Sequence, residues 1–152
     1  MPANKYGARK TQVDGITFHS IAEAKYYEQL KWLKVSKQIK DFKLQPRFLL
    51  QEAFKKNGKT FRKIEYIADF EVHNLDGSIE IIDIKGVETK EFAIKRKLYE
   101  RRYENPLKVL ALDDFLGFIE LDELKKLKRK AGKSTAKRGN RRRSAVVGAG
   151  RR

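Results

Sequence analysis

The stretch that most constrains the fold is residues 64–86, with the sequence IEYIADFEVHNLDGSIEIIDIKG. An Asp-Gly dipeptide lies between two runs of alternating apolar residues, which is the strongest short-range signal for a β-hairpin. Because successive side chains of a strand point to opposite faces, Asp83 and Lys85 share a face with Ile79 and Ile81. Two charged residues therefore interrupt the apolar face at one end of the second strand.

The first run contributes a second carboxylate, Asp69, to the same hairpin. Charged groups on half-buried faces are costly without a partner, and a divalent cation is one such partner. Mg²⁺ prefers oxygen ligands and usually takes only one or two protein carboxylates. We therefore predict that Asp69 and Asp83 are metal ligands and that Lys85 positions water or stabilises phosphate charge. The alternative is a surface hairpin with ordinary solvated charges.

Length and composition indicate one soluble domain. A chain of 152 residues with 40% hydrophobic residues can bury a core of its own. The absence of cysteine excludes disulfides and thiolate zinc sites. Residues 1–5 show no apolar signal core, and no run reaches the roughly 18 apolar residues of a membrane helix. We expect a cytoplasmic protein without a membrane partner.

The net charge of +16 is concentrated at one end of the chain. Residues 125–152 hold thirteen of the 36 Lys and Arg and no acidic residue, so the rest of the chain carries only +3. A run of one sign that is poor in large apolar residues is typical of a disordered segment that binds nucleic acid. We predict a folded domain over 1–124, with an N-terminal arm at about 1–12, and over 125–152 a basic helix end followed by a flexible tail. A tail that serves only solubility is the alternative; the candidate DNA contacts in it are Arg141, Arg142 and Arg143.

The first helix is predicted to begin after Ser20 and to end at about Val35. Glu23 stands three residues after Ser20, which is the spacing of a capping box. The predicted buried stripe consists of Ala22, Tyr26, Leu30 and Leu33. Because Glu23 lies beside this stripe, two interpretations stay open: a cap partner, or a third acidic group at the metal site.

Other turns and strands surround this hairpin. An Asp-Gly turn at residues 14–15 predicts a small hairpin, and residues 39–50 predict a strand that bends at Pro46. Asn57-Gly58 predicts a turn within a charged loop. The candidate phosphate contacts near this loop are Lys55, Lys56, Lys59, Arg62 and Lys63, with a solvated turn as the alternative.

Beyond Gly86 the pattern becomes helical over residues 90–103. Its predicted apolar arc consists of Phe92, Ile94, Leu98, Tyr99 and Tyr103, and Lys95 falls inside that arc. Lys95 therefore either reaches water along its stem or points at a phosphate. Residues 107–112 predict a buried strand parallel to the Asp83 strand, joined to it by a right-handed crossover. A second apolar stretch at 115–119 and a short helix from Asp122 to about Arg129 complete the predicted domain.

The order of these motifs resembles the PD-(D/E)xK nuclease superfamily. Ala68-Asp69 is followed after thirteen residues by Asp83-Ile84-Lys85, with alanine in place of the proline of the motif. Phe18 to Glu23, the pair Gln45-Pro46 and the basic helix stand in the matching order. More narrowly, residues 4–112 resemble small phage-encoded nucleases similar to Holliday-junction resolvases of the RecU type.

The resemblance implies an α/β, restriction-endonuclease-like core with a central mixed β-sheet flanked by helices. It also implies a DNA endonuclease that uses Mg²⁺, or Mn²⁺ in its place, on branched recombination or replication intermediates, and that works as a homodimer. Asp69, Asp83 and the Ile84 backbone carbonyl would bind the metal, with Glu23 assisting and Lys85 orienting the water. The alternatives are a non-catalytic basic DNA-binding protein with a vestigial site, and an RNA- or ribosome-associated protein.

Overall fold

The computed structural model of the protein describes residues 9–143, and the side chains of residues 9–134. Most of the N-terminal arm predicted at about 1–12 lies outside the described residues. The elements follow in the order β1 (Thr11–Val13), β2 (Ile16–Phe18), α1 (Ile21–Val35), β3 (Ile39–Leu44), β4 (Arg47–Gln51), β5 (Phe54–Lys56), β6 (Lys59–Phe61), β7 (Ile64–Ile67), β8 (Phe70–Asn74), β9 (Ile79–Ile84), α2 (Lys90–Arg102), β10 (Leu107–Asp113), β11 (Gly117–Glu120) and α3 (Leu121–Arg143).

A mixed five-stranded sheet forms the centre, in the order β11-β10-β9-β8-β3. The β9–β10 pair is parallel, as predicted, and the other neighbours are antiparallel. Because β9 is buried on both faces, Ile81 faces one core cluster with α2 and α3, while Ile82 and Ile84 face another with α1. The predicted α/β class with a central mixed sheet is confirmed.

The central hairpin is confirmed, but its first run is two strands and not one. β8 and β9 are antiparallel and joined by a turn in which Gly77 has a φ of +88°. β7 pairs instead with β4, outside the central sheet. The chain leaves one sheet for the other at Ala68-Asp69, a break that apolar alternation alone does not reveal.

The chain passes between the same two sheets a second time at Gln45-Pro46, directly beside this break. Gln45 adopts a φ of +48°, and its N–H donates to the Asp69 carbonyl at 2.9 Å. The Ala68 N–H in turn donates to the Pro46 carbonyl at 3.1 Å. We call these two segments, Gln45-Pro46 and Ala68-Asp69, the sheet fork. The bend predicted at Pro46 is therefore the start of a separate two-stranded sheet, β4–β7.

Helix α1 buries a wider arc than its predicted stripe. Tyr26 and Leu30 are buried as expected, whereas Ala22 and Leu33 are only half-buried. The buried set also includes Ala24 and Tyr27, whose ring lies 5.0 Å from that of Phe18. The helix is covered on this side by the small β1–β2 hairpin, so residues flanking the stripe are buried as well.

Helix α2 is confirmed within one residue of its predicted end, and Thr89 caps it by accepting the Phe92 N–H. Phe92 and Tyr99 are buried, but Ile94 is 61% exposed, so its place in the apolar arc was wrong. At about 100° a residue, Ile94 lies some 200° round the helix from Phe92. The two residues therefore point to nearly opposite sides.

Helix α3 continues far beyond Arg129, where the short predicted helix was to end. Leu121 and Leu124 pack into the core, and residues 126–134 are exposed. Lysine, arginine and alanine are good helix formers, and no proline interrupts this segment, so the basic run continues the helix. Among the helices of residues 9–143, none is long and apolar enough to cross a lipid bilayer.

Candidate functional site

Asp69 and Asp83 lie together where the sheet fork meets the end of β9. Asp83 is 2% exposed and is the only charged residue buried in the described part of the chain. Its Oδ2 accepts a hydrogen bond from the Tyr66 hydroxyl. Asp69 Oδ2 accepts the Ile84 N–H at 2.7 Å. One oxygen of each carboxylate is thus held by a protein donor.

The pKa values of the pair report their burial and, for Asp69, the repulsion of nearby carboxylates. Burial first, and then the charges of Asp83 and Glu23, raise the pKa of Asp69 to about 8. Burial also raises the pKa of Asp83, against the opposing effects of Lys85 and of the Tyr66 hydrogen bond. Burial and the Asp83 charge raise the pKa of Tyr66, so its hydroxyl keeps its proton and donates. Both carboxylates can ionise together only at a cost to the fold unless a cation lies between them.

Asp83 Oδ1 is the least satisfied polar atom of this region. It is the one buried side-chain nitrogen or oxygen of the described residues without a hydrogen-bond partner. Buried polar groups in proteins almost always have partners, so such an atom requires an explanation. The nearest cationic group is Lys85, whose Nζ lies 3.4 Å away, beyond a normal charged hydrogen bond.

The donor set fits a hard divalent cation of low protein coordination. No group of three or more His, Cys, Asp or Glu converges within the described residues, so Glu23 does not complete a cluster with the Asp pair. Mg²⁺ commonly keeps several waters and takes only one or two carboxylates from the protein. Asp69 and Asp83 meet that need without a third carboxylate.

Lys85 and Lys95 line one cavity of about 280 Å³ beside the Asp pair. Lys85 Nζ lies 4.7 Å from the centre of the Phe92 ring, which holds the ammonium group near Asp83. Lys95 is 30% exposed and pairs with Glu91 at 3.2 Å. Both lysines line this cavity together with Glu91, whose carboxylate offsets part of their positive charge.

Glu23 lies on the other side of the pair, in a cavity of about 100 Å³ that it shares with Asp69 and Gln45. Its cap role is confirmed: Ser20 Oγ accepts the Glu23 N–H at 3.1 Å, and a Glu23 carboxylate oxygen accepts the His19 N–H at 3.3 Å. The carboxylate thus binds the amide one residue before the position expected in a capping box. Burial raises the pKa of Glu23. Its part at the metal site stays a prediction.

We expect Glu23→Gln to leave the melting temperature (Tm) close to that of the wild type, because Gln also serves in a capping box. The metal-site interpretation of Glu23 expects a nuclease rate about tenfold lower, the lower end of effects for groups that support a metal site. The matched control is Ser20→Ala, which removes the cap, lowers Tm and keeps the rate per folded molecule. Full activity in Glu23→Gln would leave this residue with the cap alone.

The predicted phosphate contacts at Lys55, Lys56 and Lys59 lie on strands, not in a loop as expected. They belong to the β5–β6 hairpin, whose turn has positive φ at both Asn57 and Gly58. These three lysines, with Arg62 and Lys63, are exposed. The hairpin extends from the end of the β4–β7 pair that is distant from Asp69. The backbone of Arg141, Arg142 and Arg143 lies in α3, and their side chains are outside the described residues.

Two features of this region were not predicted from the sequence. Tyr66 was treated only as a strand residue, although a tyrosine three residues before Asp69 was visible as a possible hydroxyl donor. Phe54 and Phe61 stack across the β5–β6 hairpin with ring centres 4.8 Å apart, and both remain exposed. Their positions on either side of the Asn-Gly turn signalled a cross-strand pair.

The sequence profile of the family described as "Protein of unknown function (DUF1064)" matches residues 3–112. The chain belongs to this family. The DUF1064 match takes in the Asp pair, Lys85 and Lys95, and it ends before α3. Comparisons with curated proteins and with solved structures gave no match. The basic helix α3 is therefore an addition to the part of the chain that the DUF1064 profile covers.

Proposed function

We propose that this chain is a Mg²⁺-dependent DNA endonuclease with a PD-(D/E)xK-like core. The observation that carries the proposal is the buried Asp83 Oδ1, which has no hydrogen bond of normal geometry and lies beside the half-buried Asp69 carboxylate and 3.4 Å from Lys85 Nζ. Such a pair of acids next to a lysine suits hydrolysis of a phosphodiester. The restriction-endonuclease-like description of the core belongs to this proposal.

Each residue of the site has a distinct role in the proposed reaction. Asp69, Asp83 and the Ile84 backbone carbonyl would hold Mg²⁺ or Mn²⁺, which when bound polarises a phosphoryl oxygen and lowers the pKa of water. Lys85, held between Asp83 and the Phe92 ring, orients the water and offers positive charge to the phosphate. Lys95, on the same cavity, binds a neighbouring phosphate oxygen.

The DNA path in this proposal uses three basic regions: the half-buried cavity lysines, the exposed β5–β6 hairpin and helix α3, which is exposed over residues 126–134. Their positive charges suit contacts to the phosphate backbone. Such contacts determine the position and the affinity of a protein on DNA but do not read the base sequence. Selective cutting of branched DNA by a homodimer in recombination or replication is a narrower form of the same proposal.

The test is incubation with linear, nicked, flap and four-way DNAs, with Mg²⁺, with Mn²⁺ and with EDTA. The proposal expects cutting that requires the cation, and the pattern across the panel reports any preference for branches. Binding to DNA without cutting in either metal would favour the non-catalytic DNA-binding alternative. Stronger binding to RNA than to DNA would favour the RNA-associated one.

We expect a truncation after Lys130 to weaken DNA binding and to flatten its salt dependence, because it removes eight basic residues. Each lost phosphate contact on duplex DNA reduces the slope of log K against log salt by about 0.9. Leu121, Leu124 and the Lys125–Glu88 ion pair remain, so the fold and cutting at low salt should persist. Replacing the same eight residues with Gln in the full chain controls for length. An unchanged slope would shift the electrostatic anchor to the β5–β6 hairpin.

A further inference from the structure

Tyr66 holds one oxygen of Asp83 from a position that allows little movement. It is 3% exposed, and its ring packs among those of Phe48, Phe92 and Tyr99, with centres 5.9 to 6.3 Å away. A tyrosine side chain has only two rotatable dihedrals that matter for its ring. Packing on several sides therefore fixes the hydroxyl, and the hydroxyl donates to Asp83 Oδ2.

Tyr66 differs from the neighbouring Tyr99 and Tyr103 in the group that its hydroxyl binds. Tyr99 donates to the backbone carbonyl of Asn105 at 2.7 Å, and Tyr103 donates to that of Leu49 at 2.8 Å. Both hydroxyls in this way satisfy the backbone, which is the usual use of a buried tyrosine. Tyr66 instead binds a carboxylate that is itself buried, and Oδ1 of that carboxylate has no hydrogen bond of normal geometry, only the Lys85 ammonium 3.4 Å away.

We propose that Tyr66 is a positioning residue that locks Asp83 with Oδ1 turned toward a divalent cation. The inference rests on the proposed metal site and names the group that sets its geometry. Ile84 holds Asp69 in the same way, through its N–H to Oδ2. Each carboxylate thus has its Oδ2 bound by a protein donor, and Asp83 Oδ1 faces only the Lys85 ammonium at 3.4 Å, which leaves it able to bind a cation. Hydrogen bonds of this kind orient metal ligands, and their loss usually weakens metal binding or activity by about 10–100-fold.

The experiment compares Tyr66→Phe with Tyr99→Phe. Both changes keep a buried ring in the same aromatic cluster and remove one hydroxyl, so their Tm values should fall similarly. Calorimetric titration with Mn²⁺, without DNA, measures the metal affinity of each folded protein. We expect Tyr66→Phe to bind Mn²⁺ about 10–100-fold more weakly than the wild type, and Tyr99→Phe to bind it as the wild type does.

Cleavage kinetics supply a second readout. Tyr66→Phe should have a lower kcat with an unchanged KM for DNA, and higher Mn²⁺ should partly restore its rate. Wild-type Mn²⁺ affinity in Tyr66→Phe would overturn the role of Tyr66 and leave the nuclease proposal intact. Cutting absent from a wild type that binds Mn²⁺ would overturn the nuclease proposal alone, and the titrations would still decide on Tyr66. A wild type that binds no Mn²⁺ would overturn both.

Discussion

Asp83→Ala should abolish cleavage, with a loss of about a thousandfold or more, and should leave DNA binding intact. The substitution removes the carboxylate that carries the unpartnered Oδ1, and with it the cation's transition-state stabilisation of several kcal/mol. It also removes negative charge near the phosphate, so DNA affinity should stay equal or rise. Single-turnover cutting of labelled DNA and a binding titration in EDTA measure the two effects.

Two further variants test whether the loss of cleavage is specific to the Asp83 carboxylate. Asp83→Asn keeps the shape of the side chain and an acceptor for the Tyr66 hydroxyl, so it should be equally inactive with little loss of Tm. Glu80→Gln, on the same strand, removes a carboxylate that pairs with Lys108 at 2.6 Å and should cut like the wild type. Wild-type rates in either Asp83 variant would exclude this residue as a metal ligand.

The stability of the metal-free protein should fall as the pH rises from about 4 to about 8. The pKa of Asp69 is raised from 3.8 to about 8 in the folded state. In that window the folded protein keeps a proton that the unfolded chain has released, so raising the pH favours unfolding. One pKa unit corresponds to about 1.4 kcal/mol, so the shift of Asp69 from 3.8 to about 8 sets an upper limit of about 6 kcal/mol on this loss of stability.

Melting curves at about pH 5.5 and about pH 8.5, in EDTA and in Mg²⁺, test this expectation. Mg²⁺ should raise Tm more at the higher pH, since it binds the ionised pair and does not have to displace a proton. Asp69→Asn should lose both the Mg²⁺ effect and most of the pH dependence, and should exceed the wild type in Tm at high pH without metal. A wild-type Tm that rises with pH in EDTA would contradict the assignment of this proton to the pair.

Local signals in the sequence predicted most of the elements that carry the site. The Asp-Gly and Asn-Gly turns, the Ser20 cap and the alternation of β9 act over a few residues, and each was recovered at the expected place. The parallel pairing of β10 with β9 followed from a short apolar strand after a helix. These features depend on backbone preferences that neighbouring residues determine by themselves.

The features that were not predicted depend on contacts between segments that are distant in the sequence. Apolar alternation runs unbroken through Ala68-Asp69, so the change of sheet there becomes visible only with the Pro46 carbonyl opposite. The hydrogen bond of Tyr66 to Asp83 joins residues of different sheets. Helix α3 is longer than predicted because a run of one charge sign does not by itself prevent a helix, and lysine, arginine and alanine are good helix formers even with two glycines in the segment.

The sheet fork also separates the part of the structure that holds Asp69 in place from a part that can vary without moving Asp69. Its two crossing segments are tied to each other through main-chain groups, Gln45 to Asp69 and Ala68 to Pro46, so the tie does not depend on the side chains of the strands beyond it. The β4–β7 pair beyond this junction still belongs to the core, because Leu50 and Tyr66 are buried there. The exposed β5–β6 hairpin starts at the far end of that pair, so its length and charge can change without moving Asp69 or Tyr66. Under the proposed function, variation in this one hairpin would alter the shape of nucleic acid that the protein contacts and leave the acid pair in place.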